Sequence, residues 1–303
     1  MTLTLRWYFF LFISILTKSA YATETKAGFF LPDDVSEVTF RYKSIDSFVI
    51  LPVIINDTIK VNLILDTGCR NLVLFGKRFQ KLFNKEPDKR VQFSGLGNGE
   101  AVSGRLSLNN KVSISTVIGE KIPIVLIPRQ NVFASYPNVH GVIGYDIFLK
   151  FEIELNPRKQ LITFRPADTA ILGNEYQKIP IRIEDSRPIV CSKLFFAGSQ
   201  PEMCDLMIDT GSSLGLLIKT TDIKKLQKHA NKIKLGRGFN GSVMGVKAPA
   251  EKLLLETFEV TVLDVSITQS SWQNHASVGM EIIKDYAIVL NYCQSYAGFR
   301  RLL

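Results

Sequence analysis

Two copies of the tripeptide Asp-Thr-Gly occur in this chain of 303 residues, as Asp66-Thr67-Gly68 and as Asp209-Thr210-Gly211. Each copy directly follows an apolar run, at residues 61–65 and 206–208. One copy would arise by chance in roughly one chain in twenty of this length, but two copies in matching surroundings require another explanation. Two neighbouring carboxyl groups cannot both ionise cheaply, so they can share one proton and serve as general base and general acid toward one water. The motif therefore points to paired-carboxylate chemistry.

The residue types behind each aspartate suit this chemistry. A threonine hydroxyl, at Thr67 or Thr210, can form a hydrogen bond across the boundary between the two loops. A glycine, at Gly68 or Gly211, allows a tight turn that brings a backbone amide close to the carboxylate. We therefore expect the two tripeptides to adopt the same loop geometry.

The two tripeptides belong to a longer internal repeat, a feature to test before any other in a sequence. Each copy is preceded by a β-rich stretch and followed by a glycine-spaced segment, an apolar segment that contains a glycine, and a hairpin. The glycine-spaced segments are residues 95–104 and 236–245, the apolar segments are residues 142–147 and 277–282, and the hairpins turn near Asn156-Pro157 and Gln294-Ser295. The same order of five features predicts two related halves.

These features resemble the aspartic proteases of the pepsin and retropepsin-like superfamily, over about residues 38–303. The resemblance implies an all-β, bilobal, pepsin-like acid-protease fold, with two related β-barrel lobes and a cleft between them. The pattern is closer to two fused retropepsin-like halves than to pepsin. The implied catalytic residues are Asp66 and Asp209, the implied supporting residues are Thr67, Gly68, Thr210, Gly211 and Ser212, and the implied flap and substrate-binding residues are Gly95, Leu96, Gly97, Gly236, Arg237 and Gly238. In this scheme Thr67 and Thr210 interlock, Ser212 bonds Asp209, and no metal or organic cofactor takes part.

The implied function is that of an exported aspartic endopeptidase, which hydrolyses extended peptides through a water activated by the two aspartates. Because both halves lie in one chain, we expect a monomer. Two residues depart from the family pattern, since Cys69 and Arg70 follow the first loop. A nearby cation lowers the pKa of a carboxylate, so Arg70 predicts an altered acid optimum. The alternative function is a catalytically impaired pseudo-protease that binds peptides or acts as a regulatory module.

Length and composition are consistent with two modest hydrophobic cores. We predict a signal peptide at residues 1–22, a short leader or pro-segment at 23–35, an N-terminal lobe at 36–166, a linker at 167–176 and a C-terminal lobe at 177–303. The apolar run at residues 7–16 is shorter than the about 20 residues that a membrane span needs. We therefore expect an exported protein, periplasmic or secreted, with no span after signal removal. An uncleaved anchor is the alternative.

The formal charge of +9 falls to +7 without Arg6 and Lys18. Basic residues are scattered, except at residues 219–234, which the pattern predicts to be an amphipathic helix with solvated lysines. No aromatic-interleaved basic groove or zinc spacing accompanies them, so nucleic acid is excluded as a partner. Residues 211–215 match a serine-hydrolase elbow and residues 236–241 match a dinucleotide fingerprint, but neither has the strand-turn-helix context that its motif requires.

Four cysteines allow three disulfide pairings if all are bridged. A turn near residues 197–201 would bring Cys191 and Cys204 side by side, so we favour that bridge in an exported protein. We expect Cys69 and Cys293 to be buried free thiols.

Overall fold

The computed structural model describes residues 26–83, 89–93, 96, 100–128, 133, 135–136, 138–196, 200–221, 232–261, 264–269 and 276–302. The predicted signal peptide lies outside these residues, as do Gly95 and Gly97 of the first predicted flap. Across the described ranges, no helix has the length and apolar character needed to cross a membrane.

Strands dominate the structure, so the predicted β class is confirmed at the level of a mostly β fold. In chain order, the elements are β1 (Gly28–Phe30), β2 (Val38–Arg41), β3 (Lys43–Ile45), β4 (Phe48–Ile55), β5 (Ile59–Leu65), β6 (Leu72–Phe75), α1 (Lys77–Leu82), β7 (Arg90–Phe93), β8 (Val102–Ile114), β9 (Val117–Ile127), β10 (Gly141–Ile143), α2 (Tyr145–Phe148), β11 (Phe151–Asn156), β12 (Leu161–Pro166), β13 (Gln177–Pro180), β14 (Arg182–Glu184), β15 (Arg187–Phe195), β16 (Glu202–Asp209), β17 (Leu216–Thr220), β18 (Ile233–Gly238), β19 (Gly241–Pro249), β20 (Lys252–Leu255), β21 (Phe258–Thr261), β22 (Asp264–Gln269), β23 (Ala276–Gly279), α3 (Met280–Ile283), β24 (Tyr286–Asn291) and β25 (Tyr296–Arg301).

Three sheets contain these strands. The first sheet has the order β1-β9-β6-β10-β5-β4-β8-β7, with β3 beside β4. The second sheet has the order β18-β19-β22-β17-β23-β16-β15-β20-β21, with β14 beside β15. The third, which we call the joining sheet, has the order β13-β25-β24-β11-β12-β2 and so takes strands from both sides of the predicted linker. The closure of each half into a β-barrel lobe stays a prediction.

One short strand is inserted in the same way into the first and the second sheet. Strand β10 lies between β5 and β6, parallel to β5 and antiparallel to β6. Strand β23 lies between β16 and β17, parallel to β16 and antiparallel to β17. The insertion of β10 requires a glycine at Gly141, where a Cβ would lie 1.9 Å from the carbonyl oxygen of Val73. The strands that lead to Asp66 and Asp209 are therefore each held along one side by an inserted strand.

The joining sheet contains both predicted hairpins. One is formed by β11 and β12, and the other by β24 and β25. Strands β11 and β24 also pair directly, with Ile153 opposite Leu290. Behind this sheet the rings of Phe151 and Phe164 pack edge to face, with centroids 5.6 Å apart. The two hairpins thus join the two halves of the chain, and the burial of apolar surface behind them is the main favourable contribution to folding.

Part of the predicted leader is built into the first sheet. Strand β1 pairs antiparallel with β9, with Phe29 opposite Gly119. The Phe29 side chain is buried, and a Cβ on Gly119 would lie 2.6 Å from its ring. A bulky ring opposite a glycine fills the space that a side chain would otherwise take. Residues 28–30 are therefore an edge strand of the fold.

The predicted disulfide between Cys191 and Cys204 is wrong, and all four cysteines are free. Strands β15 and β16 do pair, but Cys191 lies opposite Asp205, whereas Cys204 lies opposite Ser192. Successive residues of a strand point to opposite faces, so the two thiols lie on different sides of the sheet. The prediction missed the register by one residue. Cys69 is buried as expected, whereas Cys293 is exposed.

The predicted basic helix at residues 219–234 is wrong at both ends. Lys219 lies within β17 and is buried, while Ile233 is the first residue of β18 and is exposed. The middle of the predicted helix lies outside the described residues. The apolar run before Lys219 pairs with both β22 and β23, and this sheet pairing outweighs the helical pattern of the lysines.

Candidate active site

Thr67 and Thr210 interlock the two loops in both directions. The Thr67 amide donates to Thr210 Oγ1 at 3.1 Å, and the Thr210 amide donates to Thr67 Oγ1 at 3.0 Å. Each hydroxyl then donates to a backbone carbonyl of the opposite half, Thr67 to Ile208 at 2.7 Å and Thr210 to Leu65 at 2.8 Å. Both threonines are fully buried, so each of these polar groups depends on its partner across the boundary.

The carboxyl groups of Asp66 and Asp209 meet above the two loop glycines. A Cβ on Gly68 would lie 3.0 Å from Asp66 Oδ1 and 3.5 Å from Asp209 Oδ1. A Cβ on Gly211 would lie only 2.2 Å from Asp66 Oδ1. Each glycine amide donates to the aspartate of its own loop, at 2.7 Å for Gly68 and 3.1 Å for Gly211. The structure thus brings together the four aspartate and glycine residues that the sequence singles out.

Two further glycines brace the loops from below. The amide of Asp66 donates to Ile143 O at 2.8 Å, and the amide of Tyr145 donates to Cys69 O at 2.9 Å. Gly144 lies between Ile143 and Tyr145 in the chain, and a Cβ on it would lie 1.9 Å from Cys69 O. In the second half, a Cβ on Gly279 would lie 2.3 Å from Leu214 O. Close backbone approach therefore requires glycine at both positions.

Burial raises the pKa of both carboxyl groups, each of which is only 8% exposed. Desolvation and the neighbouring charge of Asp209 raise the pKa of Asp66 to about 7, against a smaller opposing effect of the Gly68 amide. Desolvation also raises the pKa of Asp209, but Lys219, the Gly211 amide and Arg187 oppose this rise. Asp209 therefore ionises first, and Asp66 retains its proton over the weakly acidic range.

Two cations near this pair were not recognised as site residues from the sequence. Lys219, on β17, is 7% exposed, and its charge favours the ionised form of Asp209. Arg187, at the start of β15, favours the ionised form of both aspartates. The sequence carried no signal for them, because only strand pairing relates Lys219 to Phe75 and Arg187 to Phe48.

The predicted influence of Arg70 on the pair is wrong. Its side chain is largely exposed, donates to Ser186 Oγ at 2.9 Å and lies 3.3 Å from Asp185 Oδ1. Its charge lowers the pKa of Asp146, whereas Lys219 and Arg187 act on the aspartate pair. Arg70 therefore ties the first loop to the turn between β14 and β15.

The predicted hydrogen bond from Ser212 to Asp209 is also not found among the described residues. The Ser212 hydroxyl instead accepts a hydrogen bond from the amide of Leu214 at 3.3 Å. Its backbone carbonyl accepts one from Met280 at 2.8 Å. Ser212 thus shapes the turn behind the loop rather than holding the carboxylate.

The predicted flaps lie on two hairpins whose tips touch. Strands β7 and β8 form the first hairpin, and β18 and β19 form the second. The carbonyl of Leu96 accepts a hydrogen bond from the amide of Asn240 at 3.0 Å, and a Cβ on Gly238 would lie 2.1 Å from the same oxygen. Gly236 has open space where a Cβ would stand, and Arg237 is exposed. Of the predicted flap residues, Leu96 and Gly238 therefore form the contact.

The tip of the second hairpin also reaches the first half. The ring of Phe239 packs against Phe75, with centroids 5.6 Å apart. It joins an apolar cluster of the first half that includes Phe48, Ile50 and Val102. The second hairpin therefore crosses from one side of the candidate site to the other.

Comparison with models of protein families found a match for one part of the chain. Residues 51–147 match a family model described as aspartyl protease. The matched segment runs from β4 to α2 and contains the first Asp-Thr-Gly loop and its bracing Gly144, but not the second loop. A search of curated proteins found no match.

Proposed function

We propose that this chain is an aspartic endopeptidase in which Asp66 and Asp209 activate one water to hydrolyse peptide bonds. The observation that carries the proposal is the pair of carboxyl groups held by the reciprocal Thr67–Thr210 contact. The aspartyl protease match of residues 51–147 supports it, because that segment supplies the first of the two loops. The equivalent strand insertion in the second sheet supports the extension to two fused retropepsin-like halves, with lobes at residues 36–166 and 177–303 joined by residues 167–176.

The different pKa values of the two aspartates give them different roles. Asp209, ionised first because of Lys219, takes a proton from the water as its oxygen forms a bond to the peptide carbon. Asp66 holds the proton and donates a hydrogen bond to the carbonyl oxygen, on which negative charge develops. The proton that Asp209 took from the water then passes to the amide nitrogen as the carbon–nitrogen bond breaks, which releases an acid and an amine and returns the pair to its starting state. Activity should fall above about pH 7, where Asp66 loses the proton that the substrate carbonyl requires.

Export is part of the same proposal. The apolar run and small residues within residues 1–22 support signal-directed export to the periplasm or the medium. Cleavage after residue 22 would leave β1, which begins at Gly28, in place. N-terminal peptide mapping of the exported protein checks this, and a protein that retains residues 1–22 would contradict signal removal.

The test is hydrolysis of an unfolded protein substrate from pH 3 to pH 8, with and without a statine-type inhibitor. We expect Asp66→Asn and Asp209→Asn each to lower kcat/KM by roughly a thousandfold, the usual scale for loss of general acid–base catalysis. Asp146→Asn is the matched control, because Asp146 is also a desolvated carboxyl with a pKa raised to about 6 but stands outside the pair. Equal loss in all three variants would indicate a folding defect rather than a catalytic pair.

The alternative function, a pseudo-protease, is favoured by one observation. The flap tips are in contact, and Phe239 lies in the apolar cluster beside the candidate site, where a substrate side chain would have to displace it. A protein that binds an extended peptide in fluorescence anisotropy, but leaves it uncut at every pH, would establish this alternative.

A further inference from the structure

The faces of the two sheets that carry the aspartates can be compared position by position. Side chains two apart on a strand share a face, so Asp66 shares its face with Ile64, and Asp209 shares its face with Met207. Residues directly opposite each other on neighbouring strands also share a face. Strand pairing therefore extends each face away from its aspartate without any assumption about sequence alignment.

The face of the first sheet is apolar in the region next to Asp66. Ile64 pairs with Ile50 and with Val142, and Val142 pairs with Val73. Strand pairing continues this face to the following residues: Phe48, Phe75, Val125 and Ile127. All of them belong to one buried apolar cluster, which also receives Phe239.

The same construction on the second sheet gives a face with polar and charged side chains, which also carries Glu184 opposite Arg187 and Asp205 two residues before Met207. Met207 pairs with Ile189 and with Ser277, and Ser277 pairs with Leu217. Strand pairing continues this face to the following residues: Arg187, Lys219, Ser266 and Thr268. Through these pairings Phe48 corresponds to Arg187, Phe75 to Lys219, Ile127 to Thr268 and Val142 to Ser277. The sequence separation differs from pair to pair, so this correspondence follows from strand pairing and not from one constant offset of the repeat.

Several of these polar side chains are buried, and burial of a charge or a hydroxyl is costly unless something compensates it. Lys219 is 7% exposed, Ser266 6%, Thr268 3% and Ser277 1%. The Thr268 hydroxyl donates to Met244 O at 2.8 Å, whereas the Ser277 Oγ atom is buried without a hydrogen-bond partner among the described residues. A cluster of this kind, placed where the other sheet has a close-packed apolar face, indicates a site for a polar ligand group.

The charges next to this face favour an anionic group. With one proton shared, the aspartate pair carries a single negative charge, and both Lys219 and Arg187 act on it. Arg187 also pairs with Asp185, but that carboxylate is 68% exposed and therefore screened by water. Lys219 and Arg187 would therefore attract a carboxylate to this face.

We propose that the second-sheet face is an anion-binding pocket, in which Lys219 and Arg187 receive the carboxylate of an acidic substrate side chain. The apolar face of the first sheet receives an apolar side chain on the other side of the cut bond. This proposal rests on the proposed endopeptidase function, and it predicts cleavage between an apolar and an acidic residue. Peptides with bulky apolar residues on both sides of the cut would then be poorer substrates.

The test uses peptides that differ only in having Glu, Gln or Leu at the residue on one side of the cut, and then on the other. We expect kcat/KM for the Glu peptide to exceed that for the Gln peptide by roughly tenfold or more, on one side only, because a charged acceptor forms the stronger hydrogen bond. Lys219→Met should reduce this Glu-to-Gln ratio to about one. Lys219→Arg should preserve the ratio, since the charge remains.

The matched control is Phe75→Met, which alters the corresponding position of the first sheet. It should leave the Glu-to-Gln ratio unchanged. It should weaken only the preference for an apolar residue on the other side of the cut bond. If Lys219→Met does not fold, as judged by circular dichroism, Arg187→Met provides a second variant with the same expected loss of the ratio. A wild-type ratio of one, with peptides still cut, would overturn the pocket and leave the endopeptidase intact.

Failure of the enzyme itself is distinguishable from failure of the pocket. If no peptide is cut, the same peptides are compared in fluorescence anisotropy with the intact protein. Tighter binding of the Glu peptide than of the Gln peptide, lost in Lys219→Met, would support the pocket and reject the endopeptidase. Equal binding of both peptides would reject the pocket as well.

Discussion

Replacement of Thr67 by valine should destabilise the protein far more than the loss of one hydroxyl usually does. Valine has nearly the same shape, so packing is retained while the hydroxyl is lost. The Thr67 hydroxyl donates to Ile208 O at 2.7 Å and accepts from the Thr210 amide at 3.0 Å. Because Thr67 is 0% exposed, neither backbone group gains access to water after the substitution. Each buried group left unpaired costs about 1–3 kcal/mol, so the free energy of unfolding should fall by roughly 2–6 kcal/mol.

The assay is urea unfolding at pH 5, with Thr163→Val as the matched control. Thr163 is also buried in a sheet, but its hydroxyl pairs with that of Thr39 at 2.8 Å, and Thr39 is exposed. Water can therefore satisfy the group left behind, and the control should lose only about 1 kcal/mol. Thr210→Val should match Thr67→Val, and the double variant should lose less than the sum, because separated loops admit water. Equal losses in Thr67→Val and Thr163→Val would refute the reciprocal contact.

Two further predictions follow from the aspartate pair. Because the folded-state pKa of Asp66 is raised to about 7, the folded protein holds this proton between about pH 4 and pH 7 while the unfolded chain releases it. Stability should therefore fall as pH rises through this window, and Asp66→Asn should remove up to about 1.4 kcal/mol of that fall per pH unit. Urea unfolding at four pH values checks this, and parallel pH dependences would contradict it. Gly211→Ala should abolish hydrolysis, since the new Cβ would lie 2.2 Å from Asp66 Oδ1. Gly68→Ala should retain a measurable kcat/KM, since its Cβ would lie 3.0 Å from the same oxygen. A greater loss of kcat/KM in Gly68→Ala than in Gly211→Ala would count against the loop geometry.

Features encoded by short stretches of sequence could be predicted. The two loops depend on Asp-Thr-Gly itself, because the glycine amide and the threonine hydroxyl make their bonds within or directly beside the tripeptide. The hairpins at β11–β12 and β24–β25 follow from turn residues between apolar strands. Most of the mostly β fold and the position of the aspartate pair were therefore accessible from sequence alone.

Features that depend on the register between strands could not be predicted in the same way. A shift of one residue reverses the face of every side chain, and such a shift separates Cys191 from Cys204. The same difficulty concealed Lys219, whose place in β17 emerges only when its pairing with Thr268 of β22 is known. The contact between Leu96 and Asn240 joins residues far apart in the chain, and no local pattern encodes it.

A side chain of the second half, and not the loop geometry, decides which aspartate of the pair ionises first. The reciprocal amide-to-hydroxyl bonds of Thr67 and Thr210 differ by only 0.1 Å, at 3.1 Å and 3.0 Å, and the Gly68 amide lies closer to Asp66, at 2.7 Å, than the Gly211 amide lies to Asp209, at 3.1 Å. Hydrolysis requires a defined base and a defined acid, and a symmetric pair would have to be biased by the substrate. Here Lys219 biases the pair in advance, because its charge favours the ionised form of Asp209. Since Lys219 also lies on the face that would receive the substrate, one substitution in the repeat would set both the direction of proton transfer and the preference for an acidic side chain.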